Sequence, residues 1–389
     1  MLRVLTLATL FPDITRPNFG LFVERQTLGL AALPEVELRV VAPVGLPLWP
    51  LSRHARYRAF DAVPTSEEWK GLHVVRPRFV TLPYTGGRLH GAALRHRLLP
   101  LLTAIRRDFA FDVIDAEFFF PDGPAGIALG RHFGVPVSIK ARGADIHYWG
   151  HGPTAGQVRR AGQAADGLLA VSQAMRADMA AIGLPADRIR VHLTGVDLDQ
   201  FMPLDRAAAK AALGVTGPLV VSLGALIARK GHGVVVKAMA DLPGVTLLIA
   251  GDGPERGALI ADIARLGLGG RVRLLGSVPH GELPLLLGAA DVMALASASE
   301  GLANAWVEAL ACGTPIVITD AGGAADVVTQ PAYGKIVQRT PAAFAGAISA
   351  LLTSPPDQSA VRQGAVRFSW DANSTALFAH LRGLVARGV

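Results

Sequence analysis

The strongest constraint on this chain is a unit that repeats along it: a short β-branched run, a glycine-bearing loop, then a helical stretch. Residues 4–7, 36–41, 113–115, 135–139, 168–171 and 189–192 form one series of such runs. A second series restarts with 219–223, 245–250, 272–275, 292–295 and 316–319. Short apolar runs alternating with helical stretches and bounded by turn residues read as buried parallel strands. Two series predict an α/β chain with two doubly wound parallel sheets. Ligands of such sheets gather at the carboxyl ends of the strands, and two sheets make the cleft between them the expected site.

The length of 389 residues exceeds a single core, and 51% hydrophobic with 18% charged residues is a globular composition. The break falls near 195–213, where Gly195-Val196-Asp197 and Met202-Pro203 are turn-like. The expected division is an N-terminal Rossmann-like domain over 1–200, a C-terminal one over 201–366, and a terminal segment over 367–389. The stretch from Phe368 through Trp370 to Arg387 is helical and amphipathic with no strand after it, so it has to pack on something already built. Met1 to Leu10 leads into Phe11-Pro12-Asp13 without a small-residue cleavage site, and reads as a buried first strand rather than a signal peptide. No apolar run approaches the ~18 to 20 residues that span a membrane. Cys312, the one cysteine, cannot form an internal disulfide and sits in an apolar helical stretch as a small buried residue.

The net charge of +7 is unevenly placed: 53–107 carries eleven Lys/Arg against three acids. Trp49, Tyr57, Phe60, Trp69, Phe79 and Tyr84 lie in or beside it. Basic residues mixed with aromatics suit an anionic membrane surface; an arginine-rich solvated face is the plainer alternative. No nucleic-acid motif accompanies the charge, and no nucleic-acid partner is expected.

Three segments carry chemistry. Arg229-Lys230-Gly231 follow the run 219–223 and the loop from Gly224, and a helix follows them. Adjacent cations at a strand's carboxyl end beside a helix N-terminus suit a diphosphate. They are not a P-loop, which from Gly224 would need Gly at 229 and Ser or Thr at 231. Gly251-Asp252-Gly253 lacks the third glycine of a dinucleotide fingerprint, position 256 being Arg256, and reads as a tight turn. The sharpest segment runs from Glu300 to Pro315. A helix is expected to begin near Leu302 to Asn304, where free backbone N–H groups accept phosphate. Gly301 permits close approach. Glu308 falls in the second turn of an otherwise apolar helix, where a carboxylate needs a partner. A vicinal diol offers two donors; a structural ion pair is the alternative for both glutamates. Gly322-Gly323 and Gly20 are further glycine loops at strand ends.

Together these segments resemble the retaining GT-B glycosyltransferases of family 4 (glycosyl transferases group 1), over almost the whole chain. Phe11-Pro12 through Gly20-Leu21-Phe22-Val23 is similar to the family's first loop. Pro121-Asp122-Gly123 and Gly195-Val196-Asp197 with Phe201 are similar to its middle landmarks. Arg229-Lys230-Gly231 resembles its diphosphate clamp, and Glu300 and Glu308 match its pair of glutamates. The resemblance implies a GT-B fold with two Rossmann-like domains facing across a cleft, the acceptor on the N-terminal side and the nucleotide-sugar donor on the C-terminal side. It implies that the terminal helix crosses back onto the N-terminal domain.

Residue by residue, the resemblance gives Glu308 the ribose hydroxyls, Arg229 and Lys230 the diphosphate, and Glu300 the sugar hydroxyls. The backbone of Gly301, Leu302, Ala303 and Asn304 would touch sugar and phosphate. Gly20 would let the first loop close, and Gly224, Gly251 and Gly276 would line the donor site. No metal or other cofactor is expected, because two cations can supply the charge. Retention of configuration is implied. The basic aromatic stretch 49–107 points to a lipid-linked or polyanionic acceptor, as in glycolipid, envelope polysaccharide or exopolysaccharide assembly. The implied location is cytoplasmic, with peripheral attachment to the inner face of a membrane.

Two departures stand out. Many relatives carry histidine before the Pro-Asp-Gly turn and His-Gly after the next strand; here the residues are Asp115-Ala116-Glu117 and Arg142-Gly143-Ala144-Asp145. Glu117, Arg142 and Asp145 are therefore candidates for the acceptor side, with Glu117 and Arg142 near the chemistry alongside Glu300, Arg229 and Lys230. An Arg–carboxylate pair that only holds the loops is the alternative. A GT-B nucleotide-sugar epimerase and a non-catalytic nucleotide-sugar binder are the competing functions.

Overall fold

The computed structural model describes residues 1–387, which form two compact units: 1–195 with 370–387, and 196–369. The first is built on an eight-stranded sheet. Its order is Ile189–Val191, Gly167–Ala170, Val137–Ala141, Val113–Ala116, Leu2–Leu7, Val36–Val41, Leu72–Val75, Ser66–Trp69. All neighbours are parallel except the last pair, an antiparallel hairpin. The chain reverses its direction of growth between Leu2–Leu7 and Val113–Ala116.

The second unit is a six-stranded, wholly parallel sheet ordered Val272–Gly276, Thr246–Ala250, Leu219–Leu223, Val292–Leu295, Ile316–Thr319, Gly334–Val337. Its switch point lies between Leu219–Leu223 and Val292–Leu295, where diverging loops leave a crevice at the carboxyl ends. The core is formed by strand residues such as Val220, Leu247, Ile249 and Val292, with Val235, Val236, Phe344 and Ile348 from the flanking helices. The continuous apolar strands reflect burial on both faces.

The helix Trp370–Arg387 packs within the first unit. Leu377, Leu381 and Leu384 bury against Leu2, Val4 and Leu30. The helices Leu21–Ala31 and Trp370–Arg387 close tightly because a Cβ on Gly29 would lie 2.3 Å from Ser374 Oγ. This helix begins at Trp370 rather than Phe368, whose buried ring follows the preceding helix Gln358–Val366.

The hairpin Ser66–Trp69/Leu72–Val75 and the edge strand Gly334–Val337 have no counterpart in the two series of runs. The hairpin turns on Lys70 and Gly71, both at positive φ (51° and 84°), a two-residue turn of the type that matches strand twist. Its tip is pinned to the buried Glu24, which accepts from Trp69 Nε1 and pairs with Lys70 Nζ at 2.9 Å. The basic stretch is thus partly structural. Arg76 is 1% exposed beside Glu67, and Arg78 donates to the carbonyls of Phe60 and Val63. Around it, Leu48, Trp49 (77%), Leu51 and Tyr84 remain exposed, as do Arg53, Arg56 and Arg58.

Candidate functional site

Glycines staple the loops at the carboxyl ends of the second sheet to one another. Gly251, at φ 149°, leaves no room for a side chain, since its Cβ would lie 1.9 Å from the carbonyl oxygen of Gly224. Gly231 is equally closed against Ala296 O, at 2.0 Å. Gly322 would place a Cβ 2.0 Å from Glu300 O, and Gly323 N–H donates to Gly301 O at 2.8 Å. The Gly322-Gly323 loop therefore fixes the backbone that carries Glu300 and Gly301. Gly276 differs: at φ 76°, it has open space where a Cβ would go.

Arg229, Lys230 and Glu300 meet at the switch point. Lys230 Nζ lies 2.6 Å from Glu300 Oε1, and an Arg229 guanidinium nitrogen 3.4 Å from Oε2. Glu300 is 8% exposed while the Arg229 side chain is 46% exposed. Two cations against one carboxylate leave one net positive charge at the loop. Arg229 also donates to Ser299 O, and Ala298 N–H donates back to Arg229 O at 2.7 Å, so the two loops are zipped. Arg339 completes the zip through Ala296 O at 2.8 Å and Ala228 O at 2.7 Å.

The helix Asn304–Ala311 starts four residues after Glu300, with Ala303 extended at its N-cap and no side-chain cap. Its amino end thus turns backbone donors toward the loop of Glu300 to Ala303, an arrangement that favours an anion. Glu308 lies mostly buried on this helix, beside the fully buried Trp306. Among the described residues, its carboxylate receives one hydrogen bond, from His280 Nε2 to Oε1 at 3.0 Å. Cys312, one turn on, is buried; burial and the Glu308 charge push its thiol up to about 12, so it is unreactive.

In the first unit, Gly20 caps the helix Leu21–Ala31 at φ 73°, where a Cβ would lie 2.5 Å from Leu10 O. Glu117 and Arg142 form a buried ion pair. Glu117 also accepts from Gln26, whose side-chain oxygen accepts from Lys140. Lys140 in turn meets His192 Nδ1, and His192 Nε2 faces the carbonyl of Asn373 at 2.9 Å. Burial would raise Glu117, but Arg142 and Lys140 outweigh it and hold its carboxyl below the ordinary range. Burial drives Lys140 well below the ammonium range, and burial together with Glu117 drives Asp115 well above the carboxylate range. Asp145 is fully buried and accepts from the backbone N–H of Phe119, Arg142 and Gly143, which fixes the loop after Val137–Ala141.

The structure thus brings Arg229, Lys230, Glu300, Gly301, Leu302, Ala303 and Asn304 to one crevice, and Glu117, Arg142 and Asp145 to one loop cluster. Gln26, Lys140, His192, His280 and Arg339 were not singled out from the sequence. Lys140 could have been, since a lysine in the buried run 137–141 needs partners. His280 and Arg339 sit in loops whose approach to their partners carries no local signal. Among the described residues no cluster of metal ligands occurs, and no helix is long and apolar enough to cross a membrane.

Comparisons with known proteins bear on the family and the fold. The family "Glycosyltransferase Family 4" matches residues 35–200, and "Glycosyl transferases group 1" matches residues 205–367. A D-inositol 3-phosphate glycosyltransferase of Mycobacterium tuberculosis (strain F11) is 37% identical over 217 residues, covering 51% of this chain and 45% of that protein. The enzyme of the same name from Segniliparus rotundus is 33% identical over 216 residues, covering 52% and 48%. The matched chain thus spans about half the length of these relatives. In fold, sucrose-phosphate synthase from Thermosynechococcus elongatus superposes with a TM-score of 0.79 at 20% identity, over 100% of both chains. Anabaena HepE in complex with UDP does so with a TM-score of 0.74 at 20% identity, over 98% of this chain and 100% of that one. With both halves matched in order and two doubly wound units of the GT-B type, the chain belongs to the family 4, group 1 glycosyltransferases.

Proposed function

We propose that this chain transfers a sugar from a nucleoside diphosphate sugar to an acceptor hydroxyl, with retention of configuration. The observation that carries the reading is the crevice at the switch point of the second sheet. There Arg229 and Lys230 pair with the carboxylate of Glu300, beside the amino end of Asn304–Ala311, the helix that carries Glu308. Arg229 and Lys230 bind the diphosphate and stabilise the charge that grows on it as the bond from the anomeric carbon to phosphate oxygen breaks. Glu300, already held by both cations, orients the sugar hydroxyls, and Glu308 accepts from the ribose. The new bond forms from the acceptor oxygen on the same face, and the acceptor proton passes to the departing diphosphate. The protein supplies orientation and charge rather than a metal or other cofactor. Glu117, Arg142 and Asp145 serve the acceptor side, with Asp145 acting through the loop it holds.

The acceptor is a glycan or a lipid-linked molecule, as in polysaccharide, exopolysaccharide or glycolipid assembly at the cytoplasmic face of a membrane. The support is the exposed group Leu48, Trp49 and Leu51 beside Arg53, Arg56 and Arg58, an apolar and basic pairing that suits anionic headgroups. Flotation with phosphatidylglycerol vesicles tests it: binding should fall with salt and with Trp49→Ala/Leu51→Ala. Salt-insensitive or unchanged partitioning would count against peripheral attachment.

A thermal-shift screen with UDP-, GDP- and ADP-sugars tests the donor reading, with UDP-glucose first because HepE has been solved with it. A labelled donor then separates the alternatives. Transfer to an added acceptor supports the transferase, isomerised donor without acceptor supports an epimerase, and tight binding without turnover supports a binder.

A further inference from the structure

We propose that His280 is a donor-positioning residue: its imidazole sets the orientation of Glu308 so that the carboxylate is ready for a ribose diol. The inference rests on the donor reading above and adds a residue to it. His280 opens the short turn His280–Glu282 that follows strand Val272–Gly276. Its Nε2 reaches Glu308 Oε1 at 3.0 Å, and the side chain is 25% exposed. The imidazole also packs edge-to-face with the Phe201 ring, centroids 5.3 Å apart at 67°. Phe201 is itself buried and fixed through its carbonyl, which accepts from Arg362 at 2.8 Å. The same guanidinium donates to Ala311 O at 2.6 Å, at the end of the helix that carries Glu308. Ring and carboxylate are therefore both referred to one rigid knot.

The chemistry explains why an imidazole suits this place. Glu308 has several rotatable bonds, and among the described residues no other side chain holds its carboxylate. Each carboxylate oxygen accepts along two directions. One donor from His280 uses a single direction on Oε1 and fixes the carboxylate plane. Oε2 and the second direction on Oε1 stay open for two hydroxyls. An arginine in its place would span both oxygens and compete with the diol.

The test is calorimetric binding of UDP, GDP and ADP, and of their 2′,3′-dideoxy analogues, to the full chain. His280→Ala is expected to weaken the best-bound ribonucleotide roughly tenfold, the scale of one hydrogen bond to a charged group. The dideoxy analogue should lose less than about twofold, since it never uses Glu308. His280→Gln places an amide N–H at similar reach and should recover wild-type affinity within about twofold. In Glu308→Ala the preference for ribose should vanish whether or not His280 is present. Should His280→Ala unfold, the comparison is read on His280→Leu, which keeps the volume against Phe201. Equal losses for ribose and dideoxyribose ligands, or no loss, would overturn the proposal while leaving the donor site standing. A wild-type chain that binds none of the three diphosphates overturns the donor reading and this inference together.

Discussion

Lys230 Nζ and Glu300 Oε1 stand 2.6 Å apart in a mostly buried pair, and that pair joins the two loops on either side of the switch point. The carboxylate is thereby held by the charge that the proposed donor site also offers to an incoming diphosphate. Lys230 has three donors and spends one on Glu300. Lys230→Ala is therefore expected to reduce nucleoside diphosphate affinity about 10- to 100-fold and kcat/KM by about 10² to 10³. Lys230→Arg should restore little, because a planar fork does not replace a compact ammonium. Calorimetry and steady-state kinetics read both. Full affinity in Lys230→Ala would remove the residue from the diphosphate site.

Gly322→Ala probes the scaffold rather than the charge. Gly322 has φ 55°, and an added Cβ would lie 2.0 Å from Glu300 O and 2.8 Å from Gly301 O. The obstacles are backbone atoms, so relief requires moving the loop that bears Glu300. A loss of about 2 to 4 kcal/mol is expected from the combined strain, with donor binding reduced even where the protein remains folded. Thermal melts with and without UDP check it. Unchanged stability would mean that this loop has slack.

Much of this architecture was legible because each buried strand of a doubly wound sheet announces itself as an apolar run. The runs 219–223, 292–295 and 316–319 coincide with strands. Ser66–Trp69, Leu72–Val75 and Gly334–Val337 did not stand out, because strands at or next to a sheet edge carry mixed residues such as Glu67, His73 and Lys335. Arg229, Lys230, Glu300 and Glu308 were singled out by order and spacing. That Lys230 and Glu300, seventy positions apart, are hydrogen-bonded could not. The same holds for His280 and Glu308 and for the chain of contacts from His192 through Lys140 to Glu117, since these are products of tertiary packing. The basic stretch was legible as charge but not as structure: burial of Arg76 follows from the hairpin beside it.

The buried His232 predicts an acid limit on the second unit. It opens the helix His232–Ala238 directly after Gly231, and its Nδ1 meets Ser222 Oγ at 2.9 Å. Burial, with Lys230 nearby, lowers it from 6.5 to about 4. Between those values the unfolded chain binds the proton and the folded one does not, so stability falls as pH drops from about 6.5 to about 4. The slope from this group reaches at most about 1.4 kcal/mol per pH unit. His232→Gln should flatten that part of the stability profile in melts between pH 4 and 7. A profile with the same slope in the variant would assign the acid sensitivity elsewhere.

The buried pair of Glu117 and Arg142 calls for a test that separates chemistry from support. Arg142→Ala leaves Glu117 among Lys140, Gln26 and Asp115 without its arginine partner, and breaking a buried pair costs about 3 to 5 kcal/mol. Loss of activity in that variant alone would therefore be ambiguous. Removing both charges with Arg142→Met and Glu117→Gln should return most of the stability, because neither charge is then left unpaired. If Arg142 acts on the reacting sugar or the acceptor, the double variant melts near the wild type yet keeps kcat/KM reduced by about 10² or more. UDP affinity should stay near wild type, since the proposed diphosphate clamp is Arg229 and Lys230 and neither is changed. Recovery of both stability and turnover in the double variant would show instead that the pair only fixes the loops after Val113–Ala116 and Val137–Ala141.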